Sequence, residues 1–117
     1  MFAPDHMDLT SSFYETVDGE GYWYSNQYDS HDLEFRKKQL ETRVNEVRAF
    51  IDELHDPDKL EQILRVKLRF PSGVQLDLSQ MVLSGHSFGG MTTIEVARVD
   101  PRVKISLTMD PWLFCRH

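Results

Sequence analysis

The sequence predicts an α/β fold, in which parallel strands pack against helices, and three observations carry that prediction. The first is Gly85-His86-Ser87-Phe88-Gly89-Gly90, a G-x-S-x-G element preceded by the apolar run Met81-Val82-Leu83-Ser84 and followed by the helix-like run from Gly90 to Val99. The second is the buried-strand pattern from Val103 to Met109, which ends in Asp110-Pro111. The third is a long amphipathic helix ahead of both. Strand, sharp turn, helix and strand in that order form a βαβ unit, and such units build parallel sheets.

Residues 1–29 form an acidic, aromatic-containing segment. The first 35 residues hold eight acids and no Lys or Arg, whereas the remaining 82 hold 11 acids and 13 bases. Gly19, Gly21, Ser11, Ser12 and Ser25 suggest loop. Tyr22-Trp23-Tyr24 and Tyr28 are too aromatic for a pure linker, so partial packing is expected.

From residue 30 to 117 the chain reads as a partial α/β domain. A helix over 30–54 is the clearest element. Leu33, Leu40, Val44, Val47, Ile51 and Leu54 form one apolar stripe, as a helix lying on a sheet requires. Ser30 is placed to cap it, with Asp32 and Glu34 in the first turn. A short helix over 57–64 follows, with Pro57 at its first position and Leu60, Ile63 and Leu64 facing inward. Arg65-Val66-Lys67-Leu68-Arg69-Phe70 alternates basic and apolar residues, which predicts a half-buried edge strand with one cationic face. Pro71-Ser72-Gly73 then breaks the chain. The strand over 81–84 comes next, then the elbow over 85–89, the helix over 88–99, the Asp100-Pro101 turn and the strand over 103–109.

The chemistry follows from the turn. A serine between strand and helix in G-x-S-x-G sits in a strained conformation, its neighbours two residues away pressed against adjacent backbone. Glycine at 85 and 89 removes the Cβ atoms expected to clash there. Ser87 Oγ is then presented at the sheet edge, and the N-terminus of the next helix places positive dipole beneath an oxyanion. Asp110 ends the following strand, and in an open α/β sheet reactive groups gather at the carboxyl ends of strands. An acid there can orient a histidine that activates the serine; alternatively, Asp110 simply caps the Pro111 turn.

GHSFGG, the 23 positions from Ser87 to Asp110 and the Asp-Pro-Trp-Leu-Phe tail resemble one family. These are the platelet-activating factor acetylhydrolases of the plasma and intracellular type II kind, α/β-hydrolases acting on phospholipids with short sn-2 acyl chains. The resemblance runs from about Tyr22 to Phe114. It implies a serine esterase with Ser87 as nucleophile, Asp110 as triad acid and the Phe88 backbone N–H as one oxyanion donor. Trp112 and Phe114 would then line the acyl or interfacial region, with plain core packing as the other reading. The implied substrate is a phospholipid or other short-chain ester, and the implied mechanism needs no cofactor and no metal.

The family's triad histidine lies well downstream of the acid, and the five histidines here do not match it. His86 is inside the elbow, where its side chain is expected to point away from the nucleophile and support packing. His31 and His55 fall at the ends of the charged helix, His6 in the polar N-terminal segment, and His117 is the last residue. A second oxyanion-hole loop is also absent before Trp23. At 117 residues and 13.7 kDa the chain is shorter than the 200 or so residues such a domain requires. It reads as about the middle third of a catalytic domain, with nucleophile and acid but no base, and inactive in isolation. The rest of the domain, or a partner chain, is expected to cover its exposed strands.

Composition excludes several classes. The net charge of −6 and acidic start argue against nucleic-acid binding. With 40% hydrophobic and 27% charged residues and a mean hydropathy of −0.45, no run approaches a membrane span. No secretory signal is legible. One cysteine, Cys115, excludes an internal disulfide and favours a reducing compartment, so a cytoplasmic location is the preferred reading. One cysteine and scattered histidines do not make a zinc site. The alternative to an enzyme fragment is an inactive, truncated hydrolase serving as a structural or interaction module in a larger assembly.

Overall fold

The computed structural model describes residues 1–4, 6–8, 13–16, 18–23 and 32–115. The positions assigned above to Ser11, Ser12, Tyr24, Ser25, Tyr28, Ser30, His31 and His117 lie outside them. The described residues form a small mixed helix–strand unit. A parallel pair, β3 (Val82–His86) and β4 (Ile105–Met109), is joined by helix α3 (Phe88–Val99). The register runs from Val82 opposite Ile105 to His86 opposite Met109, so both strands end at one edge.

Helix α1 (Leu33–His55) lies across α3 and fills the core beneath the sheet. Val47 and Ile51 of α1 meet Val96 of α3 and Val103, with Val44, Met81, Leu83 and Ala97 packed around them. Leu40 and Met91 form a second cluster nearer the elbow, flanked by Val44, Phe88 and Trp112. The predicted apolar stripe holds from Leu40 to Leu54, whereas Leu33 is exposed. The helix begins at Leu33, three residues after Ser30, because Asp32 caps it, accepting from Glu34 N–H at 3.0 Å and Phe35 N–H at 3.1 Å. An ionised carboxylate also meets the positive end of the helix dipole, which a serine does not.

Asp56 ends α1 and starts α2 (Pro57–Glu61), accepting from the Asp58 and Lys59 amides. The predicted helix over 57–64 continues past its expected end as a wider turn from Gln62 to Lys67, in which Leu68 N–H reaches back to the Ile63 carbonyl at 2.9 Å. The strand expected over Arg65–Phe70 therefore does not form. Six alternating residues fit a strand and a helical turn alike, and neighbouring contacts decide between them. Ile63 and Leu64 are buried, holding the segment helical, while Arg65 bonds Glu61 at 2.8 Å and the carbonyls of Pro71 and Val74. Val66, Leu68 and Phe70 remain exposed.

The acidic segment contains more structure than its composition suggests. β1 (Phe13–Glu15) and β2 (Gly21–Trp23) pair antiparallel, and Phe13 packs on Trp23 with ring centroids 4.9 Å apart. A Cβ at Gly21 would lie 2.8 Å from the Phe13 ring, so that half-exposed ring would have to shift to admit a side chain there. Ahead of that hairpin, residues 6–8 run along α1. Asp8 is buried, pairs with Arg43 at 2.5 Å and accepts from Gln39 through its carbonyl at 2.7 Å. His6 bonds Glu46 at 2.7 Å.

At the far end of the sheet, Asp100 closes the turn between α3 and β4. Its buried carboxylate receives two bonds from the Arg102 guanidinium, at 2.8 and 2.6 Å, with Arg48 at 3.7 Å. Arg102 also reaches Asp52 of α1 at 2.7 Å, clamping that turn to the helix. The hydrogen bond from Arg102 holds Asp100 at a pKa of about 2, and the Arg102 guanidinium is stabilised above its ordinary range in return.

One face of the β3–β4 pair carries α3 and α1. On the other, Val82, Ile105, Leu107 and Met109 are each half or more exposed. No helix among the described residues is long and apolar enough to cross a membrane.

Candidate active site

Ser87 stands at the junction of β3 and α3 with φ 54° and ψ −118°. That region is costly for any residue with a Cβ, on the order of 1–3 kcal/mol, so the surroundings must enforce it. Three backbone bonds do so. Ser87 N–H donates to the Met109 carbonyl at 3.0 Å, and its own carbonyl accepts from Met91 at 3.2 Å and Trp112 at 3.0 Å. The serine is thus pinned to both sides of the turn that contains Asp110.

Glycines make the close approach possible, though not the pair expected. A Cβ at Gly85 would be driven into the Gly89 carbonyl, so the first glycine of the element is sterically compelled. A Cβ at Gly89 would meet nothing within 4 Å, so no clash requires that glycine. Gly90 has the second role instead: its Cβ would lie 3.1 Å from Pro111, the residue after Asp110. The missed signal was the third glycine in a row of contacts, legible only once the acid turn is seen to lie against the helix start.

Helix α3 has no side-chain cap at its N-terminus. Its first amides, beginning with Phe88, are free of intrahelical partners by helix geometry, and they give the Ser87 side of the turn a positive end. Thr92 and Thr93 bond back to the Phe88 and Gly90 carbonyls at 3.0 and 2.8 Å, tightening this first turn.

Asp110 follows the last β3–β4 pair, is exposed and adopts φ 44°. The register puts it one step beyond Met109 and beside Ser87, which is one step beyond His86.

Among the described residues no histidine is hydrogen-bonded to Ser87 or Asp110. His6 is bonded to Glu46 and His55 to the Ile51 carbonyl at 2.8 Å, both on α1. His86 belongs to β3 and its side chain is exposed on the apolar open face, not packed as expected. No group of three His, Cys, Asp or Glu side chains among the described residues is arranged to hold a metal ion.

Trp112 and Phe114 separate. Trp112 is half-buried against the Leu40–Met91 cluster, with its ring 5.6 Å from Phe88 in an edge-on arrangement. Phe114 lies outside it, 5.7 Å from Trp112 and 66% exposed. Two residues that the sequence did not single out complete this group. Arg36 sits 5.6 Å from the Trp112 centroid and 5.8 Å from that of Phe88, and Arg43 sits 4.7 Å from Phe88. Their spacing of seven puts both on one face of α1, a signal present in the chain but unreadable without knowing what that face meets.

A profile of the family described as platelet-activating factor acetylhydrolase, isoform II, matches residues 8–116. A protein named platelet-activating factor acetylhydrolase from Cavia porcellus is 32% identical over 101 residues, covering 82% of this chain and 23% of that protein. The chain thus spans about a quarter of the length of this relative.

Proposed function

Since the chain belongs to the platelet-activating factor acetylhydrolase isoform II family, we propose that it carries the nucleophile and acid of a serine esterase with the α/β-hydrolase fold. The substrate class is a phospholipid with a short sn-2 acyl chain. The observation that supports this best is the strained Ser87 backbone held by Met109 and Trp112 on either side of Asp110. Strain of this kind persists where the surroundings over-determine it, and a serine there gains exposure of Oγ at the carboxyl edge of the sheet.

Ser87 Oγ attacks the sn-2 carbonyl carbon and forms a tetrahedral oxyanion. The Phe88 N–H, at the positive end of α3, donates to that oxygen. Asp110 orients a histidine supplied by the remainder of the domain. That histidine takes the serine proton and returns it to the leaving glycerol oxygen, and water then releases the acyl group. Trp112 supports the acid turn through packing, and Phe114 extends from it toward the substrate side. The open apolar face of β3 and β4 is covered by the rest of the same domain.

The test compares the full-length polypeptide with the chain of residues 1–117. In the former, an organophosphonate labels Ser87 stoichiometrically, and Ser87→Ala abolishes both labelling and release of acetate from a short-chain sn-2 phospholipid. In the latter, labelling at an enzyme-like rate is absent. Rapid labelling of Ser87 in the short chain would show that one of its own histidines completes the triad. No labelling in the full-length protein would favour an interaction module without catalysis.

A further inference from the structure

We infer that Arg36 is a positioning residue, which fixes the acid turn on the nucleophile turn by bridging the two aromatic rings that flank them. The inference rests on the esterase reading above. Phe88 directly follows the nucleophile, and its own amide is the oxyanion donor. Trp112 lies two residues beyond the acid, and its amide bonds the Ser87 carbonyl at 3.0 Å. The two rings meet edge to face, 5.6 Å between centroids at 73°. The Arg36 guanidinium stands 5.8 Å from one and 5.6 Å from the other. The guanidinium also donates to the Gln39 side-chain oxygen at 2.7 Å, and the Gln39 amide is in turn buried on the Asp8 carbonyl.

A cation that faces both rings favours the one arrangement in which they lie together. Because each ring is one or two residues from a reacting group, holding the rings holds the distance from Ser87 to Asp110. Backbone bonds alone leave that distance softer, since both Ser87 and Asp110 occupy positive-φ conformations that relax when unsupported. Arg36 belongs to the first turns of α1, so the helix acts as the beam on which both turns are mounted.

The experiment uses the full-length polypeptide, with rates expressed per active site titrated by organophosphonate so that misfolded protein is not counted. Arg36→Met should lower kcat about fivefold, the factor corresponding to loss of one such contact, and leave KM unchanged. Arg36→Lys, which keeps the cation, should recover most of the rate. In a background of Trp112→Leu the Arg36→Met change should have almost no further effect, since the ring it acts through is gone. Should the methionine variant fail to fold, Arg36→Gln, which retains a donor toward Gln39, takes its place. An unchanged kcat, a change in KM alone, a lysine variant as slow as methionine, or additive effects with Trp112→Leu would each overturn the inference. Wild-type protein lacking Ser87-dependent hydrolysis would overturn the esterase reading and this inference with it, whereas an active wild type with an indifferent Arg36 overturns this inference alone.

Discussion

Ser87 and Asp110 share an unusual property: both are non-glycine residues at positive φ, at the ends of neighbouring strands. A turn that tight has few solutions, and Gly85 is the residue that permits this one. Gly85→Ala is therefore expected to destabilise the full-length protein by about 2–4 kcal/mol, or to fold with a displaced elbow, since the Gly89 carbonyl it strikes is backbone and does not yield. Urea unfolding midpoints alongside organophosphonate titration measure both outcomes. Gly89→Ala meets open space and should cost about 1 kcal/mol or less in stability. Asp110→Asn should leave the fold intact and lower kcat about 10⁴-fold, because an amide no longer holds the imidazole in the working tautomer. The turn that holds Ser87 and the strand end that holds Asp110 were legible from spacing and turn chemistry, whereas the packing of Phe88 on Trp112 was not. The arginines over the rings were not, because their shared helix face does not reveal which side chains it meets.

At the scale of elements, the turn after α3 is the most electrostatically determined feature. Asp100 is ionised and bonded in the folded protein at a pKa of about 2, below its ordinary value when unfolded. Its contribution to stability is thus complete above the unfolded value near 4 and disappears as pH falls toward 2. That contribution is on the order of 2 kcal/mol at neutral pH. Asp100→Asn should remove it and flatten the loss of stability between pH 4 and pH 2, read as urea midpoints against pH. Helix boundaries show the same dependence on single carboxylates. Asp32 rather than Ser30 starts α1, and Asp56 both stops α1 and starts α2. The β3, α3 and β4 elements were predictable because apolar runs flanked by Gly and Asp-Pro leave little choice. Arg65–Phe70 was not, since alternation over six residues carries no information about whether a neighbouring strand exists to receive it.

For the molecule as a whole, one side is finished and the other open. The core between α1, α3 and the sheet is closed, with Met91 and Val96 fully buried. Val82, Ile105, Leu107 and Met109 have no such cover, and β4 presents its outer edge unpaired among the described residues. The 1–117 chain expressed alone should therefore associate or bind a hydrophobic dye, and should unfold without a sharp transition. Leu107→Thr with Ile105→Thr should reduce that association in the short chain and destabilise the full-length protein, a reversal of sign that scattering and thermal melts can detect. A sharp, cooperative melt from a soluble monomer of the short chain would contradict this view.

The β3–α3–β4 unit has one more consequence, for the order of events during synthesis. The strands, the helix and the backbone bonds that form the Ser87 turn, from Val82 to Trp112, are contiguous in the chain, and the strands pair across a single helix. Contacts of such short sequence separation close early and at small entropic cost. Ser87 and Asp110 can meet as soon as Trp112 has left the ribosome. On the esterase reading proposed above, a nascent polypeptide would then hold nucleophile and acid together before the histidine joins them. Pulsed hydrogen exchange during refolding should find the Ser87 and Trp112 amides protected together, ahead of amides in segments that dock on the open face.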